Sequence, residues 1–266
     1  MQTEIYITEL NIYPVKSLSG ISLQASKLDN MGLKYDRRWM IVSPDGKFLS
    51  QRKLPHMALV KTSLTNEKLT LSKTGLDDHL VPDVSNEADE MLVELWGDKV
   101  KARKVGDVSD QWLSEAIGVE CHLVFIPDNE VRQCDLEYAE EGNRTGFADG
   151  FPLLLISEAS LADLNKRLDN PVEMRRFRPN IVVAGCSAFA EDEWTHFTAG
   201  DIEMKGVKLC SRCVMTTVDP EKGKRSGAEP LATLMKYRKQ GNKVLFGMNV
   251  IHQDRGSLRV GDVIEF

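Results

Sequence analysis

Apolar residues in this chain recur mostly in short, loosely alternating runs that stop at Gly, Pro, Asn or Asp, and this pattern predicts strands joined by tight turns. Residues 4–12 alternate and end at Tyr13-Pro14. Residues 39–42 predict a strand that turns at Pro44-Asp45-Gly46 and returns through 47–49, since Asp-Gly between apolar runs favours a hairpin. Three more hairpins are expected: 58–63 with 68–72 across Thr65-Asn66-Glu67, 91–96 with 99–102 across Gly97-Asp98, and 202–204 with 207–209 across Lys205-Gly206. Residues 244–251 and 257–266 read as closing strands, with a turn at Val260-Gly261-Asp262.

Helical spacing is rarer. Asp110 is expected to cap a turn carrying Trp112, Leu113, Ala116 and Ile117 that stops at Gly118. A helix should start near Ser157, with Glu158 in its first turn and Leu161, Leu164 and Leu168 on one face. A third should begin at Pro230, carry Leu231, Leu234 and Met235, and stop at Gly241. Many strands and few helices predict a mainly β (α+β) fold of barrel or sandwich type. The acidic run 128–141 reads as a linker or surface excursion, so the expected division is 1–125 and 126–266.

The length of 266 residues allows one large or two ordinary domains. A net charge of -6 argues against a general polyanion binder. Locally, Arg175, Arg176 and Arg178 cluster, and so do Lys222, Lys224 and Arg225, the second group reading as a solvated turn. Five cysteines at irregular spacing do not form a disulfide framework, which favours a reducing compartment. The start Met1-Gln2-Thr3-Glu4-Ile5 lacks a signal-peptide pattern, and no apolar run approaches the ~20 residues needed to span a bilayer. A cytoplasmic protein with no membrane or nucleic-acid partner is expected.

Chemistry concentrates in five segments. Cys210-Ser211-Arg212-Cys213 puts two thiols beside a cation, where a strand should run into a turn. Thiolates are soft metal ligands, although two buried structural cysteines would fit the segment equally. Tyr13-Pro14-Val15-Lys16-Ser17 offers a cation and hydroxyls at a strand end, suited to an oxyanion or to an ordinary turn. In Asp36-Arg37-Arg38-Trp39 the two arginines cannot both face water in the same way. Arg37 then needs an anion, or it pairs with Asp36 at the surface. Arg178-Pro179-Asn180 precedes the apolar run 181–183, and Asn both donates and accepts. Asp149-Gly150 lies in a glycine-bearing turn before another apolar run. The scattered histidines give Cys210 and Cys213 no second half of a zinc site.

In this order, YPVKSL, DRRW, FRPNIVV, CSRCVMTTVDP and LRVGD resemble the MOSC superfamily, the domain shared with the C-terminus of molybdenum cofactor sulfurase. The resemblance spans nearly the whole chain. It implies an N-terminal MOSC β-barrel domain followed by a MOSC domain. In character it is nearest to the mitochondrial amidoxime reducing component and its bacterial relatives, which reduce N-hydroxylated compounds.

That resemblance implies a molybdenum cofactor (molybdopterin), with Cys213 as metal ligand and catalytic centre. It implies cofactor contacts from Lys16, Ser17, Arg37, Arg178, Asn180 and Ser211. Where eukaryotic members carry a Thr-Ser pair this chain reads Gly150-Phe151, so backbone groups of Asp149 and Gly150 are expected to serve there. Asp219 would be a proton relay or a turn cap. The family also implies pyridoxal phosphate binding. With no cysteine beyond Cys213, the chain is expected to hold no 2Fe-2S cluster. A separate electron-donor protein would then serve a small N-oxygenated substrate. The other class of function is a carrier of the cofactor or of sulfur, without turnover.

Overall fold

The computed structural model describes residues 4–253 and 255–266; Met1, Gln2 and Thr3, which open the leader reading, lie outside it. The fold is mainly β, as expected. Its largest sheet has nine strands, in the order Ile21–Leu23, Tyr6–Ile12, Ile181–Ala184, Leu153–Ser157, Lys243–His252, Ile202–Arg212, Phe197–Ala199 and Ile264–Glu265, with Lys239–Gln240 pairing beside Lys243–His252. The first strand of the chain is therefore built into a sheet made mostly of C-terminal strands. Ile7 and Leu10 are three residues apart, a spacing that puts side chains on opposite faces of a regular strand. A register shift between Ile7 and Glu9 brings both into one core.

Leu153–Ser157 is buried along its whole length. Leu153 and Leu155 enter one core cluster, whereas Leu154 and Ile156 enter another on the opposite face. A strand buried on both sides reads as a continuous apolar run, as this one does. A second sheet, of four strands, orders Trp39–Val42, His122–Phe125, Asp98–Lys104 and Glu90–Leu95.

Several expectations need correction. The segment 202–209 is no hairpin: Ile202–Arg212 is one long strand whose register against Lys243–His252 shifts twice. Gly206 is there for close approach, because a Cβ would sit 1.9 Å from the Trp194 carbonyl oxygen. Gly206→Ala should therefore destabilise the fold by about 3 kcal/mol, as overpacking against backbone does; an unchanged urea midpoint would contradict this. Residues 47–49 return only as a bridge between Val42 and Phe48, and Ala58 lies in the 3-10 turn Pro55–Leu59. The hairpin expected from 91–96 and 99–102 turns at Trp96-Gly97, one residue early.

The helices form where expected, with altered ends. Asp107–Ile117 encloses Asp110, which does not cap it. The Asp110 carboxylate instead accepts from Leu123 N and lies 2.6 Å from His122 Nδ1. Gly118, at φ 71°, ends that helix. Ser157 caps Glu158–Asn165 through Ser160 N, and Leu168 falls beyond its end. Leu231–Tyr237 stops before Gly241, because the chain re-enters the sheet at Lys239. No helix among the described residues is long and apolar enough to cross a membrane.

Candidate active site

One end of the large sheet brings distant segments together. Leu10 pairs with Ile181, Leu155 pairs with Ile181, and Arg212 pairs with Val244. The chain leaving Tyr6–Ile12, the loop before Ile181, the loop before Leu153 and the end of Ile202–Arg212 consequently meet around one open cleft, with an empty volume of about 890 Å³. Its lining includes Lys16, Ser17, Arg37, Asp149, Gly150, Arg178, Asn180, Ser211 and Cys213, so the expected metal ligand and all the expected cofactor contacts reach it. Cys210, Arg52, Phe48, Trp96, Arg176 and Arg212 line it too.

The backbone is strained here. Among the described residues eight non-glycine positions have positive φ, and four of them, Ser17, Arg37, Trp96 and Arg178, line this cleft. Such conformations cost energy and concentrate where side chains must be aimed.

The cations differ in how far they are neutralised. Arg37 Nη1 donates to Asp36 Oδ2 at 2.6 Å and to Asn180 Oδ1 at 2.9 Å. Asp36 also accepts from Tyr13 N. The pair is buried, where sequence offered a surface salt bridge as the alternative. Asn180 Oδ1 additionally accepts from Leu154 N, and its Nδ2 donates to Asn11 O. Asn180 thus holds Arg37 and two strands in place.

Lys16 Nζ donates to Phe147 O at 2.7 Å and to Asp149 Oδ1 at 2.5 Å. Desolvation raises the Asp149 carboxyl, but Lys16 and Arg52 outweigh it and hold the group well below the usual carboxylate range. Arg132, buried in the acidic run read as a surface excursion, clamps this loop by donating to the carbonyls of Gly146, Ala148 and Asp149. Of the Asp149 and Gly150 backbone groups expected to serve a ligand, the Asp149 carbonyl is thus engaged by Arg132, and the Asp149 carboxylate stands at the mouth.

Desolvation lowers Lys16 from 10.5 to about 8, with the Asp149 carboxylate opposing. Between these values the unfolded chain binds more protons than the folded one. Lys16 therefore makes stability rise with pH across this window. Urea unfolding of the ligand-free chain should show a steeper rise from pH 8 to 10.5 than Lys16→Met does; equal slopes would contradict it.

Arg178 is the exception. Its Nη1 donates to Leu18 O at 2.7 Å and its guanidinium lies 4.1 Å from the centre of the Tyr13 ring. Arg37 lies 4.4 Å from the centre of the same ring. Among the described residues no carboxylate pairs with Arg178 within 4.0 Å. Desolvation lowers it from 12.5 to about 10, and the neighbouring Arg37 cation pushes the same way. Arg212 Nε and Nη1 donate to Phe246 O and Phe177 O, whereas its buried Nη2 has no partner among the described residues. Among the described residues, six basic side chains line the cleft and only one carboxylate, Asp149, lines it with them. Asp36 and Asp219 pair with Arg37 and Arg176. In a chain of net charge -6, this excess of cation is local. It fits a ligand with an anionic end.

Cys213 follows the strand end and is half-buried, with its thiol in the cleft. Cys210 packs against the core cluster of Phe177 and Phe246, and desolvation raises its thiol. The strand running into a turn is as expected, since the 3-10 turn Val214–Thr217 follows Cys213 directly. Asp219 Oδ1 accepts from Glu221 N and Lys222 N, so it caps a turn and does not line the cleft. Sequence reasoning missed Arg52, Trp96, Phe48 and Arg132. They lie in polar or turn segments with no distinguishing spacing, and only the folded chain brings them to the cleft.

The MOSC N-terminal beta barrel domain matches residues 4–120 and the MOSC domain matches residues 142–265. Mitochondrial amidoxime reducing component 2 of Rattus norvegicus is 38% identical over 97% of this chain and 82% of its own length. Mitochondrial amidoxime-reducing component 1 of Mus musculus is 34% identical over 97% and 81%. Molybdenum cofactor sulfurase of Oryza sativa is 32% identical over 95% of this chain but only 33% of its own length. On the strength of both domain matches and of relatives aligned along almost its whole length, the chain belongs to the MOSC family.

Proposed function

We propose that the cleft holds a molybdenum cofactor and that the chain reduces N-hydroxylated or N-oxide compounds with electrons from a separate protein. The observation that carries this reading is the unpaired Arg178 cation in the same cleft as the half-buried Cys213 thiol. An anion and a soft metal together suit that pair, and the relatives named for amidoxime reduction supply the reaction class.

Cys213 would provide the thiolate ligand. Lys16, Arg37 and Arg178 would hold the anionic tail, with Ser17 and Ser211 adding hydrogen bonds and Asp149 and Gly150 forming the rim. Asn180 would act by fixing Arg37. The bound group supplies the two-electron chemistry by which an N–O oxygen is removed. The protein supplies fixed charge, orientation and a cleft open to a small substrate. Pyridoxal phosphate suits the site less well, because Lys16 Nζ is already held by Asp149 and Phe147. The division into 1–125 and 126–266 and a cytoplasmic location belong to the same proposal.

The test is a loaded, chemically reduced chain given benzamidoxime. Benzamidine should form. A chain that retains the cofactor without forming product would instead be a carrier.

A further inference from the structure

Besides its charge beside Asp149, Arg52 approaches the thiol: its Nε lies 3.3 Å from Cys213 Sγ and points a hydrogen at it. Two contacts fix the guanidinium there and a third holds the Arg52 backbone. Its Cζ lies 4.1 Å from the centre of the Trp96 ring. Its Nη2 is 3.8 Å from Asp149 Oδ2. Its own carbonyl accepts from Arg225 Nη2 at 2.6 Å. The preceding Gln51 is pinned through Nε2 to Ser17 O at 2.7 Å.

Trp96 is held in turn. Its Nε1 donates to Asp149 Oδ1 at 3.1 Å, and its ring packs on Phe48 with centres 4.9 Å apart. It occupies the first place of a two-residue hairpin turn at φ 57°, where Asn or Gly is the ordinary choice. A tryptophan in that strained conformation, 46% exposed, is poorly explained by folding alone. Its ring faces the Arg52 guanidinium.

We propose that Arg52, clamped by Trp96 and Asp149, is a positioning residue that hydrogen-bonds the Cys213 sulfur, fixing its direction and drawing electron density from it. The geometry stands in the ligand-free chain. Its consequence for redox behaviour rests on the function proposed above: a hydrogen bond to a metal-bound thiolate weakens its donation and raises the reduction potential of the site.

Two measurements on the full chain test this. In proton–nitrogen correlation spectra of the ligand-free protein, the Arg52 Nε–H signal, assigned by its loss in Arg52→Lys, should shift in Cys213→Ala and stay in place in Cys210→Ala. A signal unmoved by Cys213→Ala would overturn the proposal. In the molybdenum-loaded chain, Arg52→Gln should lower the midpoint potential and shift the Mo(V) paramagnetic signal, Arg52→Lys should do so less, and Trp96→Leu should follow in the same direction. Loaded variants with unshifted potential and signal would also overturn it. A wild-type chain that takes up no molybdenum would sink the proposed function, and the Arg52 signal alone would then decide for or against the hydrogen bond.

Discussion

Cys213→Ala should lose bound molybdenum and benzamidoxime reduction together while the chain remains folded. The thiol is half-buried at a strand end and the backbone around it is held independently of sulfur. Thr216 N and Thr216 Oγ1 both donate to the Cys213 carbonyl at 3.1 Å. Truncation there should cost no more than about 0.5–1 kcal/mol of stability. The effect on metal retention should exceed the ~10–100-fold loss that follows removal of an outer-shell partner, because the ligand atom itself is gone. Cys210→Ala gives the contrast. That sulfur also reaches the cleft, but it packs against the Phe177–Phe246 cluster. Its loss should cost packing and leave most of the metal bound. Metal analysis of both variants, beside their circular dichroism, checks this. Retained metal and activity in Cys213→Ala would contradict it.

Arg178→Met should act in opposite directions on the ligand-free and the loaded chain. Without a ligand, the guanidinium is desolvated, lies near Arg37 and has no paired carboxylate among the described residues. Its compensation is one carbonyl and the face of Tyr13. Replacing a half-buried charge that has no ion-pair partner by an apolar chain of similar length removes its desolvation cost and can stabilise a fold. The lost cation–ring contact takes back ~0.5–2 kcal/mol of that gain, so a net rise of about 1 kcal/mol is expected. Cofactor retention should fall steeply, since the cation best able to accept a new anion is gone. Unfolding midpoints of the ligand-free variant and molybdenum content after loading provide the two readings. A residue serving only the fold would lower both. A destabilised variant with full cofactor content would contradict the assignment.

Strand periodicity and turn residues made much of the scaffold legible. The pairing of Lys61–Thr65 with Lys68–Ser72 and the cap at Ser157 follow from local rules that tertiary packing leaves intact. Lys205-Gly206 misleads because Gly between apolar residues looks like a turn. Its reason is non-local, a carbonyl from Trp194 that leaves no room for a side chain. The same holds for Trp96-Gly97, where an aromatic side chain stands in a turn because of what it covers in space.

The candidate site divides along that line. Lys16, Arg37, Arg178 and Cys213 stand in short segments whose order along the chain resembles a family pattern. Arg52 and Arg132 lie among polar residues, and nothing local announces that one will touch a thiol and the other will hold the Asp149 loop from behind. Asn180 was legible as a site residue, but its commitment to Arg37, Leu154 and Asn11 is a property of the assembled strands.

The most direct measurement is the molybdenum and pterin content of the freshly isolated full chain, by metal mass spectrometry and by fluorescence of the oxidised pterin, with Cys213→Ala prepared alongside. The account predicts metal and pterin in equal amounts approaching that of the wild-type chain, and a variant stripped of metal. Wild-type protein from molybdenum-replete cells that carries neither, and takes up neither when offered the cofactor, would contradict it.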